Sequence, residues 1–177
     1  MAEGRPSGVG FWQDSKNYHA WSHRQWAVKH FKLWDGELAF VDRLLDADVR
    51  NNSAWNQRHF VLSNTTPGGA AAAAGQEIAY AKRRIQVTPC NDSAWNYLRS
   101  FVTPGGKEVW EDAVAFCGAV LEQEARCWQA RDLLVHLWLK LGGKENLEKA
   151  AQMCDELAER YDTVRRKYWE HIKASAA

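Results

Sequence analysis

The stretch NNSAWN at residues 51–56 recurs as NDSAWN at residues 91–96, and a related stretch, NYHAW, lies at residues 17–21. The tryptophans of the three copies are separated by 34 and then 40 residues. Self-similarity at such a period is typical of arrays of helical hairpins. One repeat cannot bury its apolar face alone, so each copy must stack on its neighbours. The sequence therefore predicts an all-α solenoid whose extended surface suits a large protein partner.

The residue types in the motif explain how each copy would fold. Asparagine is a good N-cap, alanine lets a neighbouring backbone approach closely, and tryptophan fills the gap between layers. An arginine follows the tryptophan by three or four positions, where it can stack on a ring or reach a carboxylate. The predicted structural residues of the repeats are Asn17, Trp21, Arg24, Asn51, Trp55, Arg58, Asn91, Trp95 and Arg99.

Composition and charge exclude several classes of protein. Hydrophobic residues make up 46% and aromatic residues 12% of the 177 residues, so the chain has enough apolar surface to fold. The formal net charge is +1, which gives little general attraction for nucleic acid. No stretch approaches the length of a membrane span, and residues 1–12 lack the apolar core of a signal peptide. The four cysteines form no C-x-x-C pair, so we expect a cytoplasmic protein with reduced thiols.

Helical spacing and chain breakers predict the organisation of the chain. Residues 1–15 are expected to form an irregular leader, residues 16–173 a repeat domain, and residues 174–177 a tail. Within the domain, TTPGGAAAAAG at residues 65–75 is predicted to form a flexible loop, because proline and glycines bracket the alanines. One helix is predicted around Trp55, with its cap at Asn52 or Ser53. The other helices are predicted at about residues 18–33, 37–47, 76–86, 91–102, 107–123, 127–141, 145–161 and 163–172.

Longer runs of the sequence resemble the alpha subunit shared by protein farnesyltransferase and type I protein geranylgeranyltransferase. These runs are KNYHAWSHRQW at residues 16–26, FKLWD at residues 31–35 and DVRNNSAWNQR at residues 48–58. The segment DTVRRKYW at residues 162–169 is similar to the end of that subunit. The runs extend beyond the Asn, Trp and Arg skeleton of the general prenyltransferase alpha repeat and differ from the Rab-specific paralogue. The resemblance covers about residues 16–172.

This resemblance implies a fold and a partner. The fold would be a right-handed α-α superhelix of helical hairpins that wraps around a beta subunit. The heterodimer would transfer a farnesyl or geranylgeranyl group from its diphosphate to the cysteine of a C-terminal CaaX box, and this chain would be inactive alone. The resemblance places zinc on the beta subunit, allows magnesium in the holoenzyme, and implies no metal or cofactor bound by this chain.

The resemblance also implies a role for three residues at the first motif. Tyr18 and His19 match phenol and imidazole donors near the departing diphosphate, where negative charge accumulates as the carbon–oxygen bond breaks. Lys16 belongs to the same loop. The lysine credited with helping the transition state belongs to a preceding repeat, and only residues 1–15 precede the first motif here. We therefore expect a form truncated on its N-terminal side, with no catalytic residue assigned in this chain.

Two other functions remain open at the level of sequence. A non-catalytic adaptor of the tetratricopeptide type also has repeats near 34 residues, but its pattern requires Leu-Gly and Tyr after the tryptophan, whereas polar residues follow here. Alternatively, the truncated form binds the beta subunit unproductively and acts as a competitor. His19 and His23 have a spacing that can hold a metal, but no third ligand is evident, and no metal site is expected.

Overall fold

The computed structural model describes residues 16–175, in which all regular secondary structure is helical. The predicted leader at residues 1–15 and the last two residues of the predicted tail lie outside the described residues. Residues 16–173 were expected to form one domain, and the chain divides within it into two compact units, with the boundary after Ala73.

The first unit contains three α-helices and a short 3-10 turn. Helix α1 spans Tyr18–Phe31, α2 spans Glu37–Ala47 and α3 spans Asn52–Thr65, and the 3-10 turn covers Ala70–Ala73. Helices α2 and α3 form a hairpin, and α1 packs against α3. Apolar residues that recur every three or four positions lie on one face of each helix, and that face is turned inward. The most buried apolar side chains of this hairpin include Val41, Leu44, Leu45, Trp55 and Val61.

The second unit continues with further hairpins. Its elements are α4 (Ala74–Val87), α5 (Asp92–Val102), α6 (Lys107–Gln123), α7 (Trp128–Leu141), α8 (Lys144–Glu156), a π turn (Leu157–Tyr161), a 3-10 turn (Thr163–Arg165) and α9 (Arg166–Ser175). Neighbours in sequence pack as pairs, α4 with α5, α6 with α7, and α7 with α8, and α9 closes back on α8. Trp169 of α9 is fully buried in the cluster formed there, as the prediction of a terminal helix folded back on the array requires.

Several predicted boundaries differ from the structure. Helix α1 ends at Phe31 instead of residue 33, since Lys32 adopts a left-handed conformation with φ 59° and closes the helix. The predicted loop at residues 65–75 contains the 3-10 turn and, at its end, the first two residues of α4. The helix predicted to reach residue 161 changes at Leu157 into the π turn, where Asp162 N–H donates to Leu157 O at 2.8 Å. Helix α9 extends to Ser175, into the predicted tail.

The motif asparagines cap the helices that follow them. Asn17 Oδ1 accepts from the Ala20 amide at 3.1 Å, and Asn51 Oδ1 accepts from the Ala54 amide at 3.2 Å. Asn91 Oδ1 accepts from the Ser93 amide at 3.2 Å. These bonds satisfy amides that would otherwise lack a helical partner. The cap of α3 is therefore Asn51, and the alternative of Asn52 or Ser53 was wrong.

The motif tryptophans are core residues. Their exposed fractions are 5% for Trp21, 1% for Trp55 and 3% for Trp95. In two copies the indole N–H reaches back to the turn before the helix, where Trp55 Nε1 donates to Val49 O at 2.8 Å and Trp95 Nε1 donates to Pro89 O at 2.6 Å. Each of these indoles fills apolar space and also closes its own turn. The three indoles are therefore buried, as the predicted packing role requires.

The motif arginines reach carboxylates, as the sequence predicted. Arg58 Nη1 lies 2.9 Å from Asp42 Oδ1, and Arg99 Nη2 lies 2.9 Å from an oxygen of Asp132. Arg24 pairs with Glu37, with its Nε 3.1 Å from Oε2. Its guanidinium carbon lies 3.9 Å from the centre of the Phe40 ring, so it stacks on a ring of α2 as well.

Two buried glutamates join the helices of a hairpin. Glu37 is 5% exposed and accepts from Gln57 Nε2 at 3.1 Å, while Glu77 is 4% exposed and accepts from Tyr97 OH at 2.6 Å. Each donor lies two positions after a motif tryptophan. A carboxylate in such a position requires hydrogen-bond partners, because an unpaired buried charge is costly. The glutamates therefore fix the register between α2 and α3 and between α4 and α5.

We expect Arg24→Ala to lower the free energy of unfolding by about 2 kcal/mol, because it removes the cation beside buried Glu37. The value is below that of a fully buried pair, since the Arg24 side chain is 24% exposed. Urea unfolding followed by tryptophan fluorescence measures the change. Arg43→Ala, at an exposed position of α2, is the control and should cost less than about 0.5 kcal/mol. Equal stability of the two variants would contradict the role of the pair.

Candidate functional site

The predicted diphosphate donors lie together at the start of α1. Tyr18 and His19 are the first two residues of the helix, directly after the Asn17 cap. Both side chains are exposed, Tyr18 by 77%, and their rings meet edge to face with centroids 5.6 Å apart. A phenol and an imidazole therefore stand side by side at one exposed helix end, where both can donate to one ligand.

Lys16 lies beside this pair but contacts another part of the first unit. Its Nζ is 2.9 Å from Asp48 Oδ2, just after α2. Asp48 Oδ1 also accepts from the Arg50 amide at 3.0 Å. The Lys16 ammonium holds the pKa of Asp48 below its ordinary value. This ion pair attaches the start of α1 to the connection that leads to the second motif, and no local sequence pattern predicted it.

The electrostatics of α1 favour an anion at the predicted site. The first turn contains no acidic residue, and Lys29 and His30 lie in the last turn. The amides at the start of a helix carry partial positive charge, which stabilises a bound phosphate or similar group. The Asn17 side chain occupies one of these amides, that of Ala20. The phenol and imidazole extend beyond the helix end, so the local arrangement is suited to hydrogen bonding with a multiply charged oxyanion.

An exposed aromatic stripe continues from His19 along α1. Trp26 lies between two histidines, with ring centroids 5.8 Å from His23 and 5.2 Å from His30, the second pair being stacked. Trp26 is 55% exposed and Phe31 is 59% exposed. Among residues 16–175, His, Cys, Asp and Glu side chains form no group of three that could hold a metal ion.

A fourth copy of the motif, without its asparagine and tryptophan, lies at the start of α7 and was not predicted from the sequence. Cys127 takes the N-cap position, Ala130 is fully buried, and Arg131 stands where the earlier copies have tryptophan. The Arg131 guanidinium carbon lies 3.7 Å from the centre of the Tyr161 ring, and Nε lies 3.8 Å from Glu156. The spacing of 36 residues between Ala94 and Ala130 is the signal that identifies this copy.

Asp132 organises a second polar cluster, in the second unit. It is 6% exposed and pairs with Arg99 of α5, with His136 of its own helix at 3.0 Å, and with Arg165 at 3.5 Å. His136 Nε2 lies 3.1 Å from the Tyr168 hydroxyl. The cluster therefore connects α5 and α7 with the 3-10 turn and α9. Its members come from distant parts of the sequence, so no local pattern predicted it.

The charges of this cluster set the pKa of Asp132. Burial raises the pKa of Asp132, but the hydrogen bond from His136 and the charge of Arg99 lower it by more. The resulting pKa lies below the ordinary value. Burial and the nearby Asp132 charge raise the pKa of Tyr168. Asp132 is therefore ionised at neutral pH and holds its cationic partners in place.

We expect Asp132→Asn to destabilise the protein more at pH 6 than at pH 3. The folded-state pKa of Asp132 is lowered, so its stabilising contribution is complete above the unfolded value of about 3.9 and is lost as pH falls through the folded value. Urea unfolding at both pH values measures the difference. Glu122→Gln, at an exposed position of α6, is the control. A loss of stability that is as large at pH 3 as at pH 6 would contradict this assignment.

Within residues 16–175, every helix is too short or too polar to span a lipid bilayer.

Comparison with known proteins gives a family match at the first two motifs. Residues 11–31 and 34–65 match the protein prenyltransferase alpha subunit repeat. The second of these segments contains the α2–α3 hairpin, and the first contains the predicted donors Tyr18 and His19. The match therefore covers the part of the chain in which the candidate site lies.

Two relatives are similar over most of this chain. The protein farnesyltransferase/geranylgeranyltransferase type-1 subunit alpha of Dictyostelium discoideum is 35% identical over 145 residues, which cover 80% of this chain and 44% of the relative. The subunit of the same name from Pisum sativum is 32% identical over 157 residues, covering 77% of this chain and 47% of the relative. The chain thus spans about half the length of the relatives it matches.

A solved structure is similar to the whole described fold. A chain of Candida albicans protein geranylgeranyltransferase-I complexed with GGPP matches with a TM-score of 0.79 and 26% identity, covering 96% of this chain and 56% of that chain. This likeness confirms the predicted fold class, an all-α superhelix of helical hairpins.

Proposed function

Since residues 11–31 and 34–65 match the protein prenyltransferase alpha subunit repeat, we propose that the chain belongs to this family and acts as the alpha-type subunit of a heterodimeric protein prenyltransferase. The partner is a beta subunit, and the reaction transfers a farnesyl or geranylgeranyl group from its diphosphate to the cysteine of a CaaX box. The observation that carries this proposal is similarity to two type-1 alpha subunits over 80% and 77% of the chain.

The architecture of the chain supports a scaffold role in this complex. Buried indoles and paired arginines stabilise the hairpins, and proteins built from stacked repeats are suited to binding a protein partner. The exposed stripe of α1, with Trp26 and Phe31, offers aromatic side chains of the kind that are enriched in protein interfaces. We place this stripe on the side of the chain that faces the beta subunit.

In the proposed complex, Tyr18 and His19 act on the diphosphate. Negative charge grows on the departing oxygen as the allylic carbon–oxygen bond breaks, and donors placed there stabilise the transition state more than the bound substrate. The geometry that supports this role is the exposed phenol and imidazole at the start of α1. Lys16 contributes a positive charge to the same loop, although its contact with Asp48 must loosen before it can reach a ligand.

The proposal assigns the remaining components to the complex. Zinc belongs to the beta subunit, where it would bind the cysteine thiolate of the substrate. Magnesium, if the holoenzyme uses it, would neutralise charge on the diphosphate. We propose a cytoplasmic location for the heterodimer, and this chain alone is not expected to transfer a prenyl group.

The test is a transfer assay with this chain, a type I beta subunit, or both together. Labelled isoprenoid diphosphate and a CaaX peptide are supplied, and prenylated peptide is measured. We expect product with the co-expressed pair and none with either chain alone. A stable complex without product would instead identify the chain as an unproductive competitor. Absence of both complex and product would contradict the proposal and favour an adaptor function.

A further inference from the structure

Two cysteines from different hairpins meet in the second unit. Cys90 lies in the connection between α4 and α5, and Cys127 is the N-cap residue of α7. The sulfur of Cys127 lies 3.3 Å from the carbonyl oxygen of Pro89, the residue directly before Cys90. That carbonyl belongs to the peptide bond that joins Pro89 to Cys90, so the Cys127 sulfur lies against the backbone that carries Cys90. The fold thus brings together two thiols that are far apart in sequence.

The two thiols differ in accessibility. Cys90 is exposed, whereas Cys127 is fully buried. Burial raises the pKa of Cys127 to about 11, so this thiol is largely protonated at neutral pH and reacts slowly with reagents in solution. An oxidant therefore meets Cys90 first. The Cys127 sulfur, which lies against the Pro89 carbonyl, is the buried thiol that the fold places near an oxidised Cys90.

Cys90 and Cys127 lie at or next to the capping positions of two successive motif helices. Asparagine caps the first three motif helices, and in the fourth copy the capping position is occupied by Cys127. Cys90 immediately precedes the third cap, Asn91, where the first two copies have Lys16 and Arg50. Two successive motif helices therefore each contribute one thiol at their N-terminal ends. Cys117 and Cys154 are buried inside helices α6 and α8.

We propose that Cys90 and Cys127 form a reversible, peroxide-sensitive disulfide site. Cys90 loses its proton, its thiolate attacks hydrogen peroxide, and the O–O bond breaks. Cys90 becomes a sulfenic acid, and the departing hydroxide takes up the released proton and leaves as the first water. The Cys127 sulfur then attacks the Cys90 sulfur, the S–S bond forms and the S–O bond breaks. The departing hydroxide takes the Cys127 proton and leaves as the second water. Two thiols are oxidised to one disulfide, and one peroxide is reduced to two waters.

The disulfide would connect the turn before α5 to the first turn of α7. It closes a loop that contains α5 and α6, which reduces the conformational freedom of the unfolded chain. Oxidation would therefore make the second unit harder to unfold. Reduction by a dithiol reagent restores the free pair, as expected for a bond with one exposed sulfur.

The test uses the full 177-residue chain and peptide mapping. The reduced protein is treated with hydrogen peroxide, free thiols are alkylated, and the protein is digested with trypsin. Cleavage after lysine and arginine places the cysteines in four separate peptides, residues 85–99, 108–126, 127–131 and 150–160. We expect a cross-linked pair of peptides 85–99 and 127–131 that disappears after dithiothreitol treatment.

Variants and pH distinguish this site from general oxidation. Cys90→Ser and Cys127→Ser should each abolish the cross-link, and both should fold, since Cys90 is exposed and serine is a good N-cap. Circular dichroism confirms their folding. Cys154→Ser is the matched control and should cross-link like the parent. Disulfide formation should be faster at pH 9 than at pH 7, because loss of a thiol proton favours attack by sulfur.

Three results would overturn the proposal. The first is oxidation of Cys90 to the sulfinic acid without any cross-link to Cys127. The second is a cross-link that joins Cys127 to Cys117 instead of Cys90. The third is a disulfide found solely between two chains, detected as a doubled mass on a non-reducing gel.

Discussion

Trp55→Ala is expected to lower the free energy of unfolding by about 3–5 kcal/mol, the cost of truncating a large buried aromatic side chain. Trp55 is 1% exposed and is among the largest fully buried side chains of the described chain. The change also removes the hydrogen bond from its Nε1 to Val49 O at 2.8 Å, which closes the turn before α3. Guanidinium or urea unfolding, followed by circular dichroism at 222 nm, measures the effect.

Trp26→Ala is the matched control for Trp55→Ala. It removes the same side chain from a position that is 55% exposed, so it should change the unfolding free energy by less than about 1 kcal/mol. Trp95→Ala should behave like Trp55→Ala, since its indole is 3% exposed and donates to Pro89 O at 2.6 Å. If all three variants unfold at the same denaturant concentration, the indoles do not hold the hairpins together.

His19→Ala is expected to reduce kcat for prenyl transfer in the beta-subunit complex by on the order of 10²-fold, as does loss of one oxyanion donor in other enzymes. Tyr18→Phe removes the hydroxyl alone and should also slow transfer. Both side chains lie at the exposed start of α1, so neither change should disturb the fold. The KM for the CaaX peptide should stay within about twofold, because the donors act on the diphosphate.

His23→Ala provides the control for His19→Ala. His23 lies one turn further along the same face of α1, where it contacts Trp26 and not Tyr18. Its removal should leave kcat of the purified heterodimer close to that of the parent, because His23 lies in the stripe assigned to the beta subunit and not at the diphosphate. If His19→Ala and Tyr18→Phe transfer the prenyl group as fast as the parent, these side chains have no part in the reaction. An equal loss in His23→Ala would indicate a structural role for the helix instead of donation to the diphosphate.

The repeated tryptophans and asparagines made much of the fold predictable from sequence. A large apolar side chain at the same position of successive helices has to be buried, and Trp21, Trp55 and Trp95 are buried. The end of α7 was also predictable, because Gly142 and Gly143 follow it. Their φ angles of 65° and 81° are ones that glycine adopts readily. Lys32 shows the limit of this reasoning, because a non-glycine residue in the left-handed conformation closes α1 without any signal in its residue type.

The side-chain contacts between the helices of a hairpin could not be predicted from the sequence. Glutamate is usually exposed on helices, so nothing indicated that Glu37 and Glu77 would be buried against Gln57 and Tyr97. The Asp132 cluster likewise depends on the approach of α5 and α9 to α7. Its partners cannot be chosen among many arginines until the fold is known.

The candidate site was predicted from resemblance, and part of its geometry is new. The position of Tyr18 and His19 at a helix start follows from the Asn17 cap, which local sequence predicts. The pairing of Lys16 with Asp48 depends on the packing of the first unit. The thiol pair of Cys90 and Cys127 has the same origin, since it requires two motif helices to begin at neighbouring positions.

The proposed heterodimer is tested by the mass of the particle formed when this chain is co-expressed with a type I beta subunit. Native mass spectrometry of the purified sample measures it without any assumption about activity. We expect one dominant species, whose mass is that of one beta subunit plus this 20.2 kDa chain. Detection of the two chains as separate species at micromolar concentration would show that these repeats do not hold a prenyltransferase beta subunit.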